Sequence, residues 1–157
     1  MIDPKDSEIL KHLQQDANIG IEALAERVHL SRNACWRRVR ALEEEGVIKA
    51  RVVLLDSAKI NLKLTALIAI KTAQHDPAWL EKFAAAVRDF PEITAVYRTT
   101  GDTDYVMQAV VSDVAGYDAL YKRLIKRIPL ADVSSSFVME KIKETTALPL
   151  AQALQAN

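Results

Sequence analysis

The sequence has few features of secreted, membrane-spanning or disulfide-bonded proteins. Only one of its 157 residues is a cysteine, so no disulfide can form within the chain, which suits a reducing compartment. No apolar stretch reaches the roughly 18 residues that a membrane span requires. The first ten residues, MIDPKDSEIL, have neither the basic segment nor the apolar run of a signal peptide. We therefore expect a cytoplasmic protein with no membrane partner.

Residue clusters typical of catalysis or metal binding are also missing. The three histidines, His12, His29 and His75, lie in different segments, and no His/Cys cluster has the spacing of metal ligands. The sequence contains no glycine-rich loop of the kind that holds phosphates. Asp102 and Asp104 could form a pair of carboxylates, but no acid–base partner is apparent for them. We therefore expect no enzyme, no metal site and no cofactor.

Charge is balanced over the whole chain but not locally. The 21 lysines and arginines are matched by 21 aspartates and glutamates, and a net charge of zero does not by itself indicate nucleic-acid binding. However, four arginines fall within the nine residues 32–40, and three glutamates follow at 43–45. Any nucleic-acid interaction must therefore depend on where this local charge is placed.

The first third of the chain has the apolar spacing of short helices. Asp3 is a candidate N-cap with proline after it, and a second helix is expected over 21–28. A third helix is predicted over Ser31–Glu45, with Ser31 as its N-cap and Gly46 just past its end. The β-rich residues Val47–Leu55 are predicted to form a strand.

The third predicted helix has two chemically different faces. At about 100° per residue, its apolar side carries Cys35, Val39 and Leu42, and its arginines lie mostly on the other side. Arginine and asparagine can bind guanine and adenine edges bidentately in the major groove, and two helices with a tight turn form a helix-turn-helix. The candidate DNA-binding residues are Ser31, Arg32, Asn33, Trp36, Arg37 and Arg40, with Lys49 and Arg51 expected to contact phosphates from the following strand.

Three features of this helix have more than one interpretation. Arg38 points away from the arginine-rich face. The sequence supports a structural role, in which Arg38 pairs with an acidic residue, no more and no less than a different role. The glutamates at 43–45 are unfavourable at a helix C-terminus, and pairing with Arg38 or with residues one turn away would offset this cost. Trp36 fits either a contact with the sugar-phosphate backbone or a place beside the core. Cys35 fits a small core residue better than a thiol sensor.

The second half of the chain has the element order β-α-β-β-α-β, which is the order of a ferredoxin-like fold. Alternating residues from Leu64 to Ile70 predict the first strand, and Leu80, Phe83, Ala84 and Val87 are expected to face inward from the first helix. Both helices should cover one face of an antiparallel sheet, so apolar residues such as Leu67 would be exposed on the other face and need a partner chain. The remaining elements are predicted as a helix starting after Asp76, strands over 93–100 and 105–111, a helix over 113–128 and a strand over 133–142.

These patterns predict an α+β protein with two functional parts. Residues 1–50 are expected to form a winged helix-turn-helix DNA-binding domain, and residues 51–61 a strand and linker. Residues 62–157 are expected to form a ferredoxin-like (ACT-like) domain that forms oligomers, and the family resemblance described next implies that this domain also binds an effector.

Several motifs, in this order, resemble the Lrp/AsnC (feast/famine) family of transcriptional regulators. They include Leu30-Ser31, Arg38-Val39, Gly46-Val47-Ile48, the G-x-x-D-Y turn from Gly101 to Tyr105, and KETTALPL from Lys143. Gly20 departs from the pattern because a serine or threonine N-cap is usual there.

The resemblance implies a regulator that binds double-stranded DNA, forms homodimers through its C-terminal sheets and often assembles into octamers. It also implies an amino-acid effector bound in the C-terminal domain at contacts between dimers, with the turn supplying part of the site. By composition alone, the turn is also simply a good turn sequence, and an architectural DNA-binding protein without an effector is the alternative function. The candidate effector-binding residues are Thr100, Gly101, Asp102, Thr103, Asp104 and Tyr105, with Ser134 and Ser136 contributed by a neighbouring subunit.

Overall fold

The computed structural model describes residues 2–72 and 76–154, so His75 lies outside the described residues. The chain forms two compact units. The first comprises residues up to Leu54 together with those from Lys143 onward, and the second spans Leu55–Ile142. The strand and linker predicted over 51–61 include the boundary after Leu54. Residues 143–154, which the sequence assigns to the second domain, are grouped with the first unit.

The first unit contains the three predicted helices: α1 (Pro4–Gln15), α2 (Ile21–Arg27) and α3 (Arg32–Glu44). Asp3 caps α1: its carboxylate accepts a hydrogen bond from the Asp6 amide (2.8 Å), and the Asp6 carboxylate accepts one from the Asp3 amide (3.1 Å). Gly20 caps α2 without any side-chain hydrogen bond. After α3, Gly46 adopts a φ of 73°, a conformation that glycine reaches with little strain.

The apolar faces of these three helices meet in a small core. His29 and Leu30 form the turn between α2 and α3, and His29 adopts the left-handed conformation with a φ of 53°. The Leu30 amide donates to the Ala25 carbonyl (2.9 Å), which closes the turn between α2 and α3. The buried residues of this core are Ile9, Leu10, Leu24, Ala25, Val28, Cys35, Val39 and Leu42.

The strand predicted over Val47–Leu55 is not present. Residues 51–56 have no strand pairing, and the side chains of Val52, Val53, Leu54 and Leu55 are mostly exposed. A strand requires a hydrogen-bonded neighbour, and none of the described residues provides one here. A short 3₁₀ turn, Ser57–Ile60, follows and is capped by Asp56.

The second unit has the predicted order of elements around one antiparallel sheet. The strands lie in the order β2-β3-β1-β4, and a helix follows β1 and another follows β3. The last strand ends at Phe137, five residues earlier than Ile142, where the sequence placed its end. The elements are β1 (Leu64–Lys71), α4 (Pro77–Arg88), β2 (Ile93–Arg98), β3 (Tyr105–Val111), α5 (Val114–Arg127) and β4 (Asp132–Phe137).

The two faces of the sheet differ as the alternation in β1 predicts. Ala66, Ile68 and Ile70 are buried under the helices, whereas Leu67 on the other face is 42% exposed. On α4, Phe83 is buried and Val87 packs against the core as predicted, but Trp79 is buried where Leu80 was expected, and Leu80 is 37% exposed. The Trp79 ring stacks on Phe83, with 5.0 Å between the ring centroids, and this pairing one helical turn apart turns Leu80 outward.

Candidate nucleic-acid interface and effector turn

Helix α3 presents an exposed polar front over a fully buried back. Cys35, Val39 and Leu42 lie in the core, as the sequence predicts. Ser31 caps the helix, and its hydroxyl accepts a hydrogen bond from the Ala34 amide (3.2 Å). The cap and the buried back orient the front as one rigid surface. The residues on this front are Arg32, Asn33, Trp36, Arg37 and Arg40, all of them exposed.

The charged side chains of this front are available for an external partner. Within the described part of the chain, no carboxylate lies within ion-pair distance of Arg37. Arg32 lies 3.3 Å from Glu22, but both side chains are largely exposed. Exposed pairs of this kind contribute little stability and exchange readily with other partners. The front therefore carries unneutralised positive charge, a feature that suits contact with a polyanion.

Arg40 and the glutamates at the end of α3 partly neutralise one another. Arg40 lies 3.7 Å from Glu43 and 3.8 Å from Glu44, so residues one turn away offset the unfavourable charge at the helix end. Arg38 does not contribute to this effect. The sequence leaves two partners open for these glutamates, Arg38 or residues one turn away, and in the structure the partner is one turn away.

Arg38 joins α3 to the start of α1. Its guanidinium lies 2.6 Å from the Asp3 carboxylate and 2.8 Å from the Asp6 carboxylate. These two partners raise the pKa of Arg38, and the pKa of Asp3 is lowered by the Asp6 amide and by Arg38. Arg38 is therefore a structural residue.

Trp36 and Cys35 have different environments on the same helix. Trp36 is 53% exposed and lines a hollow together with Leu13, Ile19 and Val39. Cys35 is fully buried, and burial raises the pKa of its thiol. A buried thiol with a raised pKa is poorly reactive, and so Cys35 is a core residue.

The two basic residues expected to contact phosphates differ. Lys49 is exposed and has no ion-pair partner among residues 2–72 and 76–154. Arg51 donates to the Ala17 carbonyl (2.9 Å) and to the Glu43 carboxylate (3.2 Å). Arg51 thus links the turn after α1 to the end of α3, a structural role that the sequence did not suggest.

The predicted effector turn joins β2 to β3 and is held by its own hydrogen bonds. The Thr99 amide donates to the Asp104 carbonyl (2.9 Å), and the Thr99 hydroxyl donates to the Thr103 carbonyl (2.5 Å). Gly101 has a φ of 98°, which strongly favours glycine. Thr100 and Asp102 are exposed on this turn, so their side chains are accessible to a small molecule.

Asp104 is tied to the neighbouring strand. Its carboxylate accepts a hydrogen bond from the Thr72 amide (2.8 Å), and its amide donates to the Ile70 carbonyl (3.0 Å). Asp104 therefore fastens the turn to the end of β1. Asp102 has no such bond and is the better placed of the two carboxylates for an ammonium group.

The remaining candidate effector residues are distributed over the sheet. The Tyr105 ring lies in the core, in contact with Phe83 at a centroid distance of 4.8 Å, so only its backbone could contact a ligand beside the turn. Ser134 pairs with Ala69 and Ser136 pairs with Leu67, which places both serines on the open face of the sheet. One strand separates them from β3, so within one chain they are not part of the turn.

The described residues contain neither a metal centre nor a membrane-spanning helix. No group of three or more His, Cys, Asp or Glu side chains in residues 2–72 and 76–154 could hold a metal ion. In the same part of the chain, no helix is long and apolar enough to cross a bilayer.

Two family models match the chain, one for each part. A model described as winged helix-turn-helix DNA-binding matches residues 2–49, and the model of the Lrp/AsnC ligand binding domain matches residues 65–148. The DNA-binding transcriptional activator DecR of Escherichia coli (strain K12) is 44% identical over 151 residues, covering 96% of this chain and 99% of that protein.

Two solved structures are similar over nearly the whole chain. An AsnC family transcriptional regulator from Agrobacterium tumefaciens is 49% identical with a TM-score of 0.92, covering 94% of this chain and 97% of that one. A transcriptional regulator from Neisseria meningitidis in complex with L-methionine is 35% identical with a TM-score of 0.93, covering 98% of this chain and all (100%) of that one.

Proposed function

The chain belongs to the Lrp/AsnC family of transcriptional regulators, and from this membership we propose that it reads operator DNA as a homodimer through α3, under the control of an amino acid. Members of this family are regulators and not enzymes. The observation that carries the proposal is the front of α3, where Arg37 is exposed and has no ion-pair partner among the described residues, while the back of the helix is buried. Because its partner is DNA, we place the protein in the cytoplasm.

The residues of the front divide into two roles. Arg37 and Asn33 lie one turn apart and can form bidentate hydrogen bonds to base edges, so we assign them to base reading. Arg32, Arg40, Lys49 and the Ser31 end of the helix are assigned to the phosphate backbone, which positions α3 in the groove. Trp36 is free to pack against a sugar, since most of its ring faces solvent.

The test of DNA reading begins with selection of bound duplexes from a random pool by the full-length protein. Arg37→Ala should weaken binding to the selected duplex by about 1–3 kcal/mol and relax the base preference at one position per half-site. The matched control is Arg88→Ala, which changes an exposed arginine of the second unit. This substitution should leave both the affinity for the selected duplex and the base preference unchanged. If Arg37→Ala and Arg88→Ala bind alike, α3 does not read the bases.

The homodimer is proposed to form through the open face of the sheet. This face presents Leu67 on the central strand β1 and Tyr97 on the edge strand β2, which are 42% and 61% exposed, and an exposed patch of large apolar side chains indicates a partner. Assembly of such dimers into an octamer is the second step that we propose. Leu67→Glu should convert the dimer into a monomer in light scattering, whereas Lys71→Glu, on the same face but at the strand end, should not. A Leu67→Glu protein that stays dimeric would place the interface elsewhere.

The effector is proposed to be a free amino acid bound at the turn between β2 and β3. Asp102 is assigned to the ammonium group, and the exposed turn amides and Thr100 are assigned to the carboxylate. The structure of the relative from Neisseria meningitidis with L-methionine supports this class of ligand. Ser134 and Ser136 are proposed to contact the ligand from a neighbouring subunit, because they lie on the open face.

An architectural DNA-binding protein without an effector is the second candidate function. It is favoured by the many hydrogen bonds that hold the turn together, since these account for much of its sequence without a ligand. Thermal unfolding with each of the twenty amino acids separates the two functions. A true effector raises the free energy of unfolding by about 2.7 kcal/mol at one hundred times its dissociation constant, and Asp102→Asn should remove this stabilisation. If no amino acid stabilises the protein, the architectural function is favoured.

A further inference from the structure

The C-terminal segment returns to the first unit and binds α1 through a glutamine. The Gln14 amide group donates from Nε2 to the Leu148 carbonyl (3.2 Å), and its Oε1 accepts from the Leu148 amide (2.6 Å). One side chain thus satisfies both backbone groups of one residue, as a neighbouring strand would. Only asparagine and glutamine carry an amide that donates and accepts in this way.

A second, apolar contact lies two residues further along. Leu150 packs partly buried against the core of the three helices, and the 3₁₀ turn Gln152–Leu154 follows beside α1. The Leu148 side chain is 72% exposed, so this residue is held by its backbone and not by apolar burial. The segment is therefore anchored by two chemically different contacts, a pair of hydrogen bonds and a buried leucine.

These contacts give the DNA-binding unit a second connection to the rest of the chain. The first connection leaves the unit after Leu54, through residues that have no strand pairing. The second arrives from β4 and enters the unit at Lys143. Docking of residues 143–154 on α1 therefore shortens the part of the second connection that is free.

We propose that residues 143–154 are a strap that docks on α1 through Gln14 and Leu150 and limits the spread of the two recognition helices in a dimer. The docking itself stands on the contacts above, and its consequence for DNA rests on the proposed function. A dimer binds half-sites about one helical turn apart, and this spacing is a geometric property of the protein. The strap makes the dimer selective for one spacing.

The docking is tested by amide hydrogen exchange on the full-length protein. Gln14→Ala should speed exchange at Leu148 by about tenfold, as expected for the loss of hydrogen bonds to both of its backbone groups. Gln15→Ala is the matched control, since Gln15 is the next residue on α1 and is exposed. Gln14→Glu should protect the Leu148 amide less than glutamine but more than alanine does, because a carboxylate still accepts from this amide but cannot donate to the Leu148 carbonyl. Equal exchange at Leu148 in Gln14→Ala and Gln15→Ala would overturn the docking.

The consequence for DNA is tested with the selected duplex rebuilt at half-site spacings from two base pairs shorter to two longer. The wild type and Gln15→Ala should bind the selected spacing at least tenfold more tightly than the others. Gln14→Ala and Leu150→Ser should reduce this preference to less than threefold. If Gln14→Ala speeds amide exchange at Leu148 but leaves the half-site spacing preference unchanged, the strap docks on α1 without limiting the spread of the recognition helices. This result would overturn that part of the proposal. If the wild type binds no duplex, the proposed function fails, while the exchange experiment still decides the docking.

Discussion

The guanidinium of Arg38 lies 2.6 Å from the carboxylate of Asp3, so the recognition helix is tied to the N-cap of the first helix. Asp6 accepts a second hydrogen bond from the same guanidinium and belongs to the same capping box. One arginine therefore supports both the start of α1 and the position of α3. This relationship predicts that Arg38 and its neighbour Arg37 respond differently to the same substitution.

Arg38→Gln should lower the free energy of unfolding by about 1–3 kcal/mol, because it leaves the partly buried Asp6 carboxylate without its charged partner. Arg37→Gln should change the stability by less than about 0.5 kcal/mol, as is usual for an exposed residue without contacts. Urea unfolding followed by circular dichroism measures both. Equal effects of the two substitutions would contradict a structural role for Arg38.

Stability should fall in acid through Asp3. The Asp6 amide and Arg38 lower the pKa of Asp3 from its ordinary value of 3.8. A carboxyl with a lowered folded-state pKa stabilises the fold above its unfolded pKa, and this contribution is lost as the pH falls through the folded pKa. Asp3→Asn should therefore be less stable than the wild type at pH 7, and the difference should shrink below pH 3.8. Unfolding free energies measured from pH 7 to pH 2 test this, and a difference that stays constant would rule out Asp3 as the titrating group.

The two aspartates of the turn should separate structure from ligand binding. Asp104→Ala should destabilise the second unit by about 1–3 kcal/mol, because the Thr72 amide loses its acceptor. Asp102→Ala should change stability by less than about 0.5 kcal/mol without a ligand. Thermal unfolding of both variants without added amino acids is the measurement. A stable Asp104→Ala protein would mean that the turn does not depend on this hydrogen bond.

Cys35 should be unreactive in the folded protein. Its thiol is fully buried, and burial raises its pKa, so the reactive thiolate is scarce at neutral pH. Labelling with a thiol-specific disulfide reagent at pH 8 should be slow in buffer and should approach the rate of a free cysteine in 6 M guanidinium chloride. Fast labelling of the native protein would instead support a sensor role for this residue.

Sequence patterns predict a feature best where that feature depends on residues close to one another along the chain. The caps predicted at Asp3 and Ser31 are confirmed, and each depends on a side chain reaching an amide three residues away. The two-faced character of α3 followed from helical periodicity alone. The hairpin from Ile93 to Val111 also depends on residues close together along the chain, and its turn lies where the sequence predicts it.

Predictions failed where the outcome depended on distant partners. The segment Val47–Leu55 has the composition of a strand, but a strand forms only beside another strand. Leu80 and Trp79 are both large and apolar, and the stacking of Trp79 on Phe83 decided which of them is buried. The hydrogen bonds of Arg51 to Ala17 and Glu43 also join distant residues and could not be foreseen from its charge, while its contact with phosphates stays a prediction.

The sequence by itself determined the order of helices and strands, because this order follows from local periodicity and capping. It also determined the polar front of α3, through helical periodicity, and the turns that need glycine, through the backbone freedom of that residue. Only the tertiary structure decided that Arg38 pairs with Asp3 and Asp6, that Asp104 fastens the turn to Thr72, and that Gln14 binds Leu148. Each of these contacts joins residues more than thirty positions apart. Such pairings depend on how whole elements pack, and packing is set by the sum of many weak contacts that no short stretch of sequence contains.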